Sequence, residues 1–595
     1  MNLPNHSEPL TRVFDLLNHL QKNFSGKVVF GYRRNGQWET ISVERYIETA
    51  NKVSFALKSL GIKKGDTIIT LTPNRPEFNC VDMGALQIGA IHVPLYPSVP
   101  EGKLIKILQE TNCRIAFISA KSALMKILSR RSEFPALEWV VAFDPVEGIR
   151  DFNAFLSSEE MPGNETWLEE LKSKVKPEDP ASVIYISGGS TAVKGVVLTH
   201  GNHVFNILNY AKANHVENVK STVSLLPLAH SYERTINYCQ QYFGVRIWYN
   251  DKIPGMQKDF KEIRPEMVVM VPLLIERLFT SFEQQTLRSG WMISAVARKA
   301  IQAAKQAEPG KKKNLIQLFY LLLGKLIIFP SWRKALGGKL HTILCGGAAL
   351  NPAWLNLSNA MGIAIYEGYG ITEAGPLVSY NLKGSCRNYS VGKPMNGVEV
   401  KILPDGEVCV RSDGVMAGYY AHKGASHEAV DRDGWLHTGD LGTMDALGFL
   451  TLTGVKKEIF KLSSGLYVNP KVVEEQLRKS RFIKEAWVSG HNRNFLVAIL
   501  IPDFGEIKQK IHGLEQLDNA SLITNKRVNE LLTSELKTGN SMRRGPDQVL
   551  KFTIVNDEWT VENGFLKENK ALDRVKLQQH YAEILDSLYS KSFEL

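Results

Sequence analysis

Residues Tyr185–Asn202 read YISGGSTAVKGVVLTHGN. Within this stretch Ser187, Gly188, Gly189, Ser190, Thr191 and Lys194 gather two glycines, three hydroxyls and one ammonium into a single loop. Apolar, β-branched runs flank it, so a strand is expected on either side. The pattern differs from the phosphate loop G-x-x-x-x-G-K-[ST], where a glycine precedes the lysine and a helix follows. With no helix N-terminus to hold phosphate, the binding groups are the turn's backbone N–H groups and hydroxyls, an anion nest. A glycine turn also serves simply to reverse the chain, and the rest of the sequence has to decide between these uses.

At 595 residues the chain exceeds what one core supports, so two or more domains are expected. Its 44% hydrophobic and 22% charged residues are those of a globular protein. The six cysteines, Cys80, Cys113, Cys239, Cys345, Cys386 and Cys409, are scattered without a CxxC pair. That argues against a zinc site or a disulfide framework and for a reducing compartment, the cytoplasm. The N-terminus has no basic start followed by an apolar run, so no secretory signal is expected. A net charge of +11 suits nucleic acid, an anionic membrane or a polyphosphate cofactor. No arginine-rich or aromatic-interleaved motif supports nucleic acid, and none is expected as a partner.

One segment bears on membranes. KKKNLIQLFYLLLGKLIIFPSWRK sets the apolar run Leu315–Pro330 between lysines and Trp332. It is shorter than the ~20 residues of a spanning helix and is broken by Gln317, Gly324 and Lys325. Two placements stay open: a buried core helix ending in solvated lysines, and a helix lying peripherally on the inner face of a membrane with Trp332 at its edge.

The first half alternates helix and strand patterns. SVERYIETANKVSFALKSLG repeats apolar residues at helical spacing, with Ser42 as cap and Gly61 as stop; GDTIITL and AIHVPL read as buried strands. Such alternation implies a largely parallel, helix-covered sheet, an α/β fold. Around residues 400–455 short strands broken by Gly and Asp give β-barrel or hairpin character. After GVKKEIFK a smaller α+β unit begins, so residues 1–454 and 455–595 are expected as a large N-terminal and a small, mobile C-terminal domain.

Downstream of the loop stand LPLAHSYERT (Leu226–Thr235), LCGGAALNP (Leu344–Pro352), YEGYGITEAGP (Tyr366–Pro376), GYYAHK (Gly418–Lys423), DGWLHTGDLG (Asp433–Gly442) and GVKKEIFKLSSGLYVNP (Gly454–Pro470). In this order and spacing, from about Val43 to Arg574, they resemble the adenylate-forming, AMP-binding superfamily. LPLAHSYER, YEGYGITE and KKEIFKLSSG are most similar to its long-chain fatty acyl-CoA synthetase branch. The resemblance implies ATP, Mg²⁺ and CoA as cofactors and a fatty acid as substrate. Ser187, Gly188, Gly189, Ser190, Thr191 and Lys194 would wrap the β- and γ-phosphates. Gly346, Gly347 and Ala348, with Tyr369 and Gly370, would border the adenine; Thr372 would touch the α-phosphate and Glu373 would hold the metal. Asp440 would bind the ribose hydroxyls, His230 would sit beside the attacking carboxylate, and Lys457 would be the interdomain hinge. Gly368 would leave room for an acyl tunnel. Taken singly, Glu373 and Asp440 also suit loop caps, and His230 a core histidine.

Several positions depart from the family pattern. Its loop reads Tyr-Thr-Ser-Gly-Thr-Thr-Gly-x-Pro-Lys-Gly, from which Ile186, Gly189, Ser190, Thr191 and Val193 differ. Val455 stands in place of an arginine that partners Asp440. In ENGFLKENKALDR the position of the family's adenylating lysine is Ala571; Lys570 is its neighbour and the candidate replacement, with Lys567 further off. The expected reaction is fatty acid + ATP + CoA → acyl-CoA + AMP + pyrophosphate. The rival expectations are transfer to an acyl-carrier protein, or a homologue that binds acyl and AMP ligands with little catalysis.

Overall fold

The computed structural model describes residues 10–119, 121–157, 166–187, 193–213, 219–250, 255–308, 311–456, 460–462, 467–491, 493–541, 548–567 and 570–590. The chain divides into two compact units. The first comprises Met1–Leu403, Val408–Thr438 and Met444–Thr451, the second Pro404–Glu407, Gly439–Thr443 and Leu452–Leu595.

The first unit contains two large sheets. In one, Thr67–Leu71 lies between Ile91–Leu95 and Ile115–Ile118, all three parallel and buried at every residue. Continuous burial is what strands covered on both faces require, and it explains why GDTIITL carries no alternation. The helix Val43–Ser59 starts where the sequence places it: Ser42 Oγ accepts the Arg45 N–H at 3.3 Å, and Gly61 follows the end at φ +75°. The strands Pro180–Ser187 and Val193–Thr199 extend this sheet as an antiparallel pair, with Ile186 opposite Lys194. Both expected strands are therefore present, but Ser187 and Lys194, expected in the loop, belong to the strands themselves, and residues 188–192 lie outside the described residues.

The other sheet has a parallel centre of Arg246–Tyr249, Ser221–Ser224, Met267–Met270, Thr342–Cys345 and Ala364–Tyr369, in that spatial order. Near it runs the helix Ser231–Tyr242, buried along its length although it carries Glu233, Arg234, Asn237, Gln240 and Gln241. Arg234 explains how so polar a helix is tolerated. Its Nη2 donates to Asp82 Oδ1 at 2.5 Å, Tyr238 donates to Asp82 Oδ2 at 2.5 Å, and the His92 Nδ1–H donates to Asp82 Oδ1 at 2.7 Å. Burial alone would raise the Asp82 carboxyl, but Arg234 and His92 outweigh it and hold the group ionised, well below the usual carboxylate range. Asp82 sits on the helix Pro76–Gln87 and His92 on the strand Ile91–Leu95, so the cluster ties one sheet's elements to a helix that follows a strand of the other.

The second unit has a sheet of Ile483–Ser489, Leu496–Pro502 and Val549–Ile554, antiparallel then parallel. Alternate residues feed two cores: Ala486, Val488, Ala498 and Leu500 face one, Trp487, Val497, Ile499 and Ile501 the other. Arg574 grips buried Glu474 through two bonds of 2.8 and 2.7 Å, while Glu474 also accepts the Val488 N–H.

Asp82→Asn leaves the buried Arg234 guanidinium without its counter-charge. The expected cost is about 3–5 kcal/mol, read as a lower urea midpoint at unchanged m; an unchanged midpoint would remove the cluster from its structural role.

Candidate active site

Three segments with predicted roles follow parallel strands of the same sheet. His230 comes after Ser221–Ser224, Gly346–Ala348 after Thr342–Cys345, and Gly370–Glu373 directly after Ala364–Tyr369, which ends in Tyr369. All three therefore emerge at the carboxyl ends of the strands, where open α/β sheets bind ligands. Gly370 is obligatory: a Cβ there would stand 1.7 Å from the Pro376 carbonyl oxygen. Gly347 adopts φ +86°, a conformation that favours glycine.

The turn Thr372–Ala374 brings the polar groups together. Thr372 Oγ1 lies 2.9 Å from Ser231 Oγ, and Ser231 follows His230. His230 caps its helix, Nδ1 accepting the Tyr232 N–H at 3.2 Å, so the proton of the neutral ring is on Nε2. The ring is exposed, and desolvation by the protein around it lowers its pKa. Glu373 Oε1 accepts the Tyr419 hydroxyl at 2.9 Å, and Lys194 Nζ stands 4.6 Å over the Tyr419 ring. Tyr419 thus links Lys194, on the strand Val193–Thr199, to the predicted metal ligand. Its hydroxyl pKa is raised by burial and by the Glu373 charge, so it stays a donor.

Of the remaining predicted residues, Gly188, Gly189, Ser190, Thr191 and Lys457, and the side chain of Ser187, lie outside the described residues. Asp440 and Lys570 belong to the second unit. Asp440 follows Gly439, whose N–H donates to Glu407 Oε1 at 3.0 Å. Glu407 Oε2 in turn pairs with Lys456 at 2.7 Å, so a cation next to Val455 is tied to the backbone beside Asp440. Lys570 is exposed at φ +61° in a tight turn, its N–H donating to the Lys567 carbonyl at 2.7 Å while the Lys567 N–H donates to that of Ala571 at 2.8 Å.

One expectation is corrected. The space over Gly368 is not open, because a Cβ there would meet the Tyr380 ring at 2.6 Å. Gly368 pairs with Tyr380 across the antiparallel strands, and the Tyr380 hydroxyl bonds that of Tyr232. The glycine accommodates an aromatic ring of the protein itself.

Other residues that shape the crevice have no local motif. Asn74 donates to the Leu226 carbonyl at 2.7 Å and accepts the Leu228 N–H at 2.9 Å, fixing the loop ahead of His230. It also donates to Ser224, which donates to the buried Glu233 at 2.6 Å. Buried Glu367 accepts the Leu350 N–H and anchors the loop that begins at Gly346; burial raises its pKa to about 7. Tyr419 lies within GYYAHK, but nothing in that motif assigns it to Glu373.

Glycine loops, a hydroxyl and a carboxylate at the carboxyl ends of adjacent parallel strands define an α/β protein with a crevice suited to a phosphorylated ligand. The chain belongs to the AMP-binding enzyme family, whose model matches residues 18–420, with the AMP-binding enzyme C-terminal domain matching 457–592. It is 27% identical over 577 residues to the long-chain-fatty-acid–CoA ligase FadD15 of Mycobacterium bovis, covering 95% of this chain and 94% of that one. It is 29% identical to the peroxisomal long chain acyl-CoA synthetase 6 of Arabidopsis thaliana, covering 89% and 79%. Its fold is similar to that of the anthranilate CoA ligase AuaEII, solved with anthranoyl-AMP, at a TM-score of 0.68 and 20% identity over 98% and 99% of the two chains.

Burial raises the Glu233 pKa to about 8, with the Ser224 hydrogen bond pulling the other way. The folded state then binds a proton that the unfolded state has lost, so stability falls as pH rises from the ordinary glutamate range towards 8. Glu233→Gln, which keeps the shape and removes the titration, is expected to flatten this fall. The gain over the parent above pH 8 is of order a few kcal/mol, read from unfolding midpoints at pH 6 and pH 9; parallel pH profiles would show that Glu233 is ionised in the fold.

Proposed function

We propose that this protein is an AMP-forming acid–thiol ligase that converts a long-chain fatty acid, ATP and CoA into acyl-CoA, AMP and pyrophosphate. The observation that carries the proposal is the gathering of His230, Thr372, Glu373 and Lys194 through Ser231 and Tyr419, in a family whose similar members are named as long-chain-fatty-acid–CoA ligases.

In the first half-reaction a carboxylate oxygen attacks the α-phosphorus and pyrophosphate leaves, giving the acyl-adenylate. Two anions have to approach, so the site must neutralise charge where it develops. The residues divide that work. The 187–191 loop and Lys194 take the β- and γ-phosphates, and the Thr372 hydroxyl, oriented by Ser231, takes an α-phosphate oxygen. Gly346–Ala348 with Tyr369 and Gly370 form the adenine slot, and Asp440 accepts from the ribose hydroxyls. The neutral His230 presents Nε2–H to the carboxylate and adds no competing base. Glu373 fits a magnesium ion: Tyr419 bonds one of its oxygens, the other has no hydrogen-bond partner among the described residues and suits a cation that takes one carboxylate plus phosphate oxygens, and such an ion would supply charge neutralisation on the phosphates. Lys570 supplies the cation that Ala571 lacks, and Lys457 is the hinge. In the second half-reaction the CoA thiolate sulfur attacks the acyl carbonyl and AMP leaves.

Pyrophosphate release from ATP and Mg²⁺, scanned from short to long fatty acids with and without CoA, tests this directly. Release is expected to require a long-chain acid and to form acyl-CoA when CoA is present. No release at any chain length, despite thermal stabilisation by AMP, would reduce the protein to a ligand-binding relative. Lys570→Ala is expected to lower adenylation about a hundredfold. Restoring a guanidinium with Val455→Arg is expected to tighten ATP binding roughly tenfold, the value of one charge-assisted hydrogen bond.

A further inference from the structure

The chain's positive charge is concentrated in one place. Between Glu283 and Glu367 the sequence holds eleven Lys and Arg against the single acid Glu308, a net of +10 where the whole chain carries +11. Lys305 and Lys311 are paired with Glu283 and Glu308, whereas Lys312, Lys325 and Lys334 are exposed with no ion pair among the described residues.

Within this basic stretch of sequence lies an apolar surface. Leu315–Ala335 is one helical stretch of 21 residues, α-helical at both ends with a π-turn at Gly324–Ile328, and only 28% of its most apolar window is buried. The core-helix placement therefore fails for most of its circumference. Leu315, Phe319, Leu322 and Leu326, spaced as one helical face, are 84, 57, 55 and 68% exposed, and Ile316 and Ile327 widen the stripe. The opposite face is held by protein. Leu321, Gly324, Ile328, Phe329 and Trp332 are buried, Gln317 donates to the Ala303 carbonyl at 3.2 Å, and Trp332 Nε1 donates to Thr286 at 2.8 Å. Trp332, which one of the two open placements put at a membrane edge, is a core residue. An exposed tryptophan close by is Trp291, 79% exposed at the start of the neighbouring helix Trp291–Lys305, followed by exposed Met292 and Ile293.

A contiguous apolar surface of this kind on a soluble fold marks a contact. From the exposed lysines before, within and at the end of this helix we infer that Leu315–Ala335 lies flat on an anionic phospholipid bilayer, its apolar face in the headgroup–acyl boundary and its lysines on the lipid phosphates. The helix cannot span, because its other face is committed to the protein core and Lys325 sits within the run. A second copy of the chain fits poorly, since a two-fold interface sets this basic region against itself. A nucleic acid would meet the lysines but leave the apolar stripe in water.

Sedimentation of the full chain with vesicles tests the inference. Binding is expected with phosphatidylcholine and phosphatidylglycerol at about three to one and is expected to weaken with salt, with little binding to phosphatidylcholine alone. The triple variant Leu315→Gln, Phe319→Ser, Leu322→Gln is expected to partition at least tenfold more weakly at an unchanged urea midpoint. Lys312→Glu with Lys325→Glu is expected to weaken anionic binding and flatten its salt dependence. Equal sedimentation of parent and triple variant would overturn the inference. So would absence of vesicle binding together with a dimer, seen by gel filtration, that the triple variant dissociates.

Discussion

The contact on which the first unit depends is the buried ion pair of Arg234 with Asp82. A buried carboxylate is tolerated when it is paired, and here Arg234, Tyr238 and His92 all donate to Asp82. The pair joins residues 152 positions apart. It lies one helical turn past His230, whose carbonyl accepts the Arg234 N–H at 3.0 Å, so one turn of helix carries both the buried pair and the predicted site histidine.

From that anchor the crevice is assembled by short polar relays. Ser231 reaches Thr372, Tyr419 reaches Glu373 and Lys194, and Asn74 fixes the loop ahead of His230. Each relay joins a motif quoted from the sequence to a residue outside it or to another motif. The departures from the family pattern fall at positions that such relays surround. Lys456, beside Val455, is tied through Glu407 to the strand of Asp440, and Lys570, beside Ala571, occupies a turn closed by two backbone bonds. Neighbouring lysines therefore stand beside both positions where the resemblance leads one to expect a cation.

What was legible in the sequence was local or repeated. The cap at Ser42, the stop at Gly61, the uninterrupted apolar run of Thr67–Leu71 and the two strands Pro180–Ser187 and Val193–Thr199 are all properties of residues within a few positions of each other. The apolar helix was legible as well, but not its surroundings: the same pattern suits a core helix and an interfacial one, and only packing distinguishes buried Trp332 from exposed Leu315. Gly368 was misread for the same reason, since a glycine announces missing bulk without saying what fills the space.

The order of motifs, read from the sequence alone, determined the family, the alternation of strands and helices, and the identity of the groups available for chemistry. The tertiary structure decided which of those groups meet: Thr372 with Ser231 across 141 positions, Glu373 with Tyr419 across 46, Arg234 with Asp82 across 152. The reason is physical. Caps, turns and hydrophobic periodicity act over a turn or two of chain, whereas pairing a buried charge or filling the space above a glycine depends on side chains that only the packed fold brings within reach.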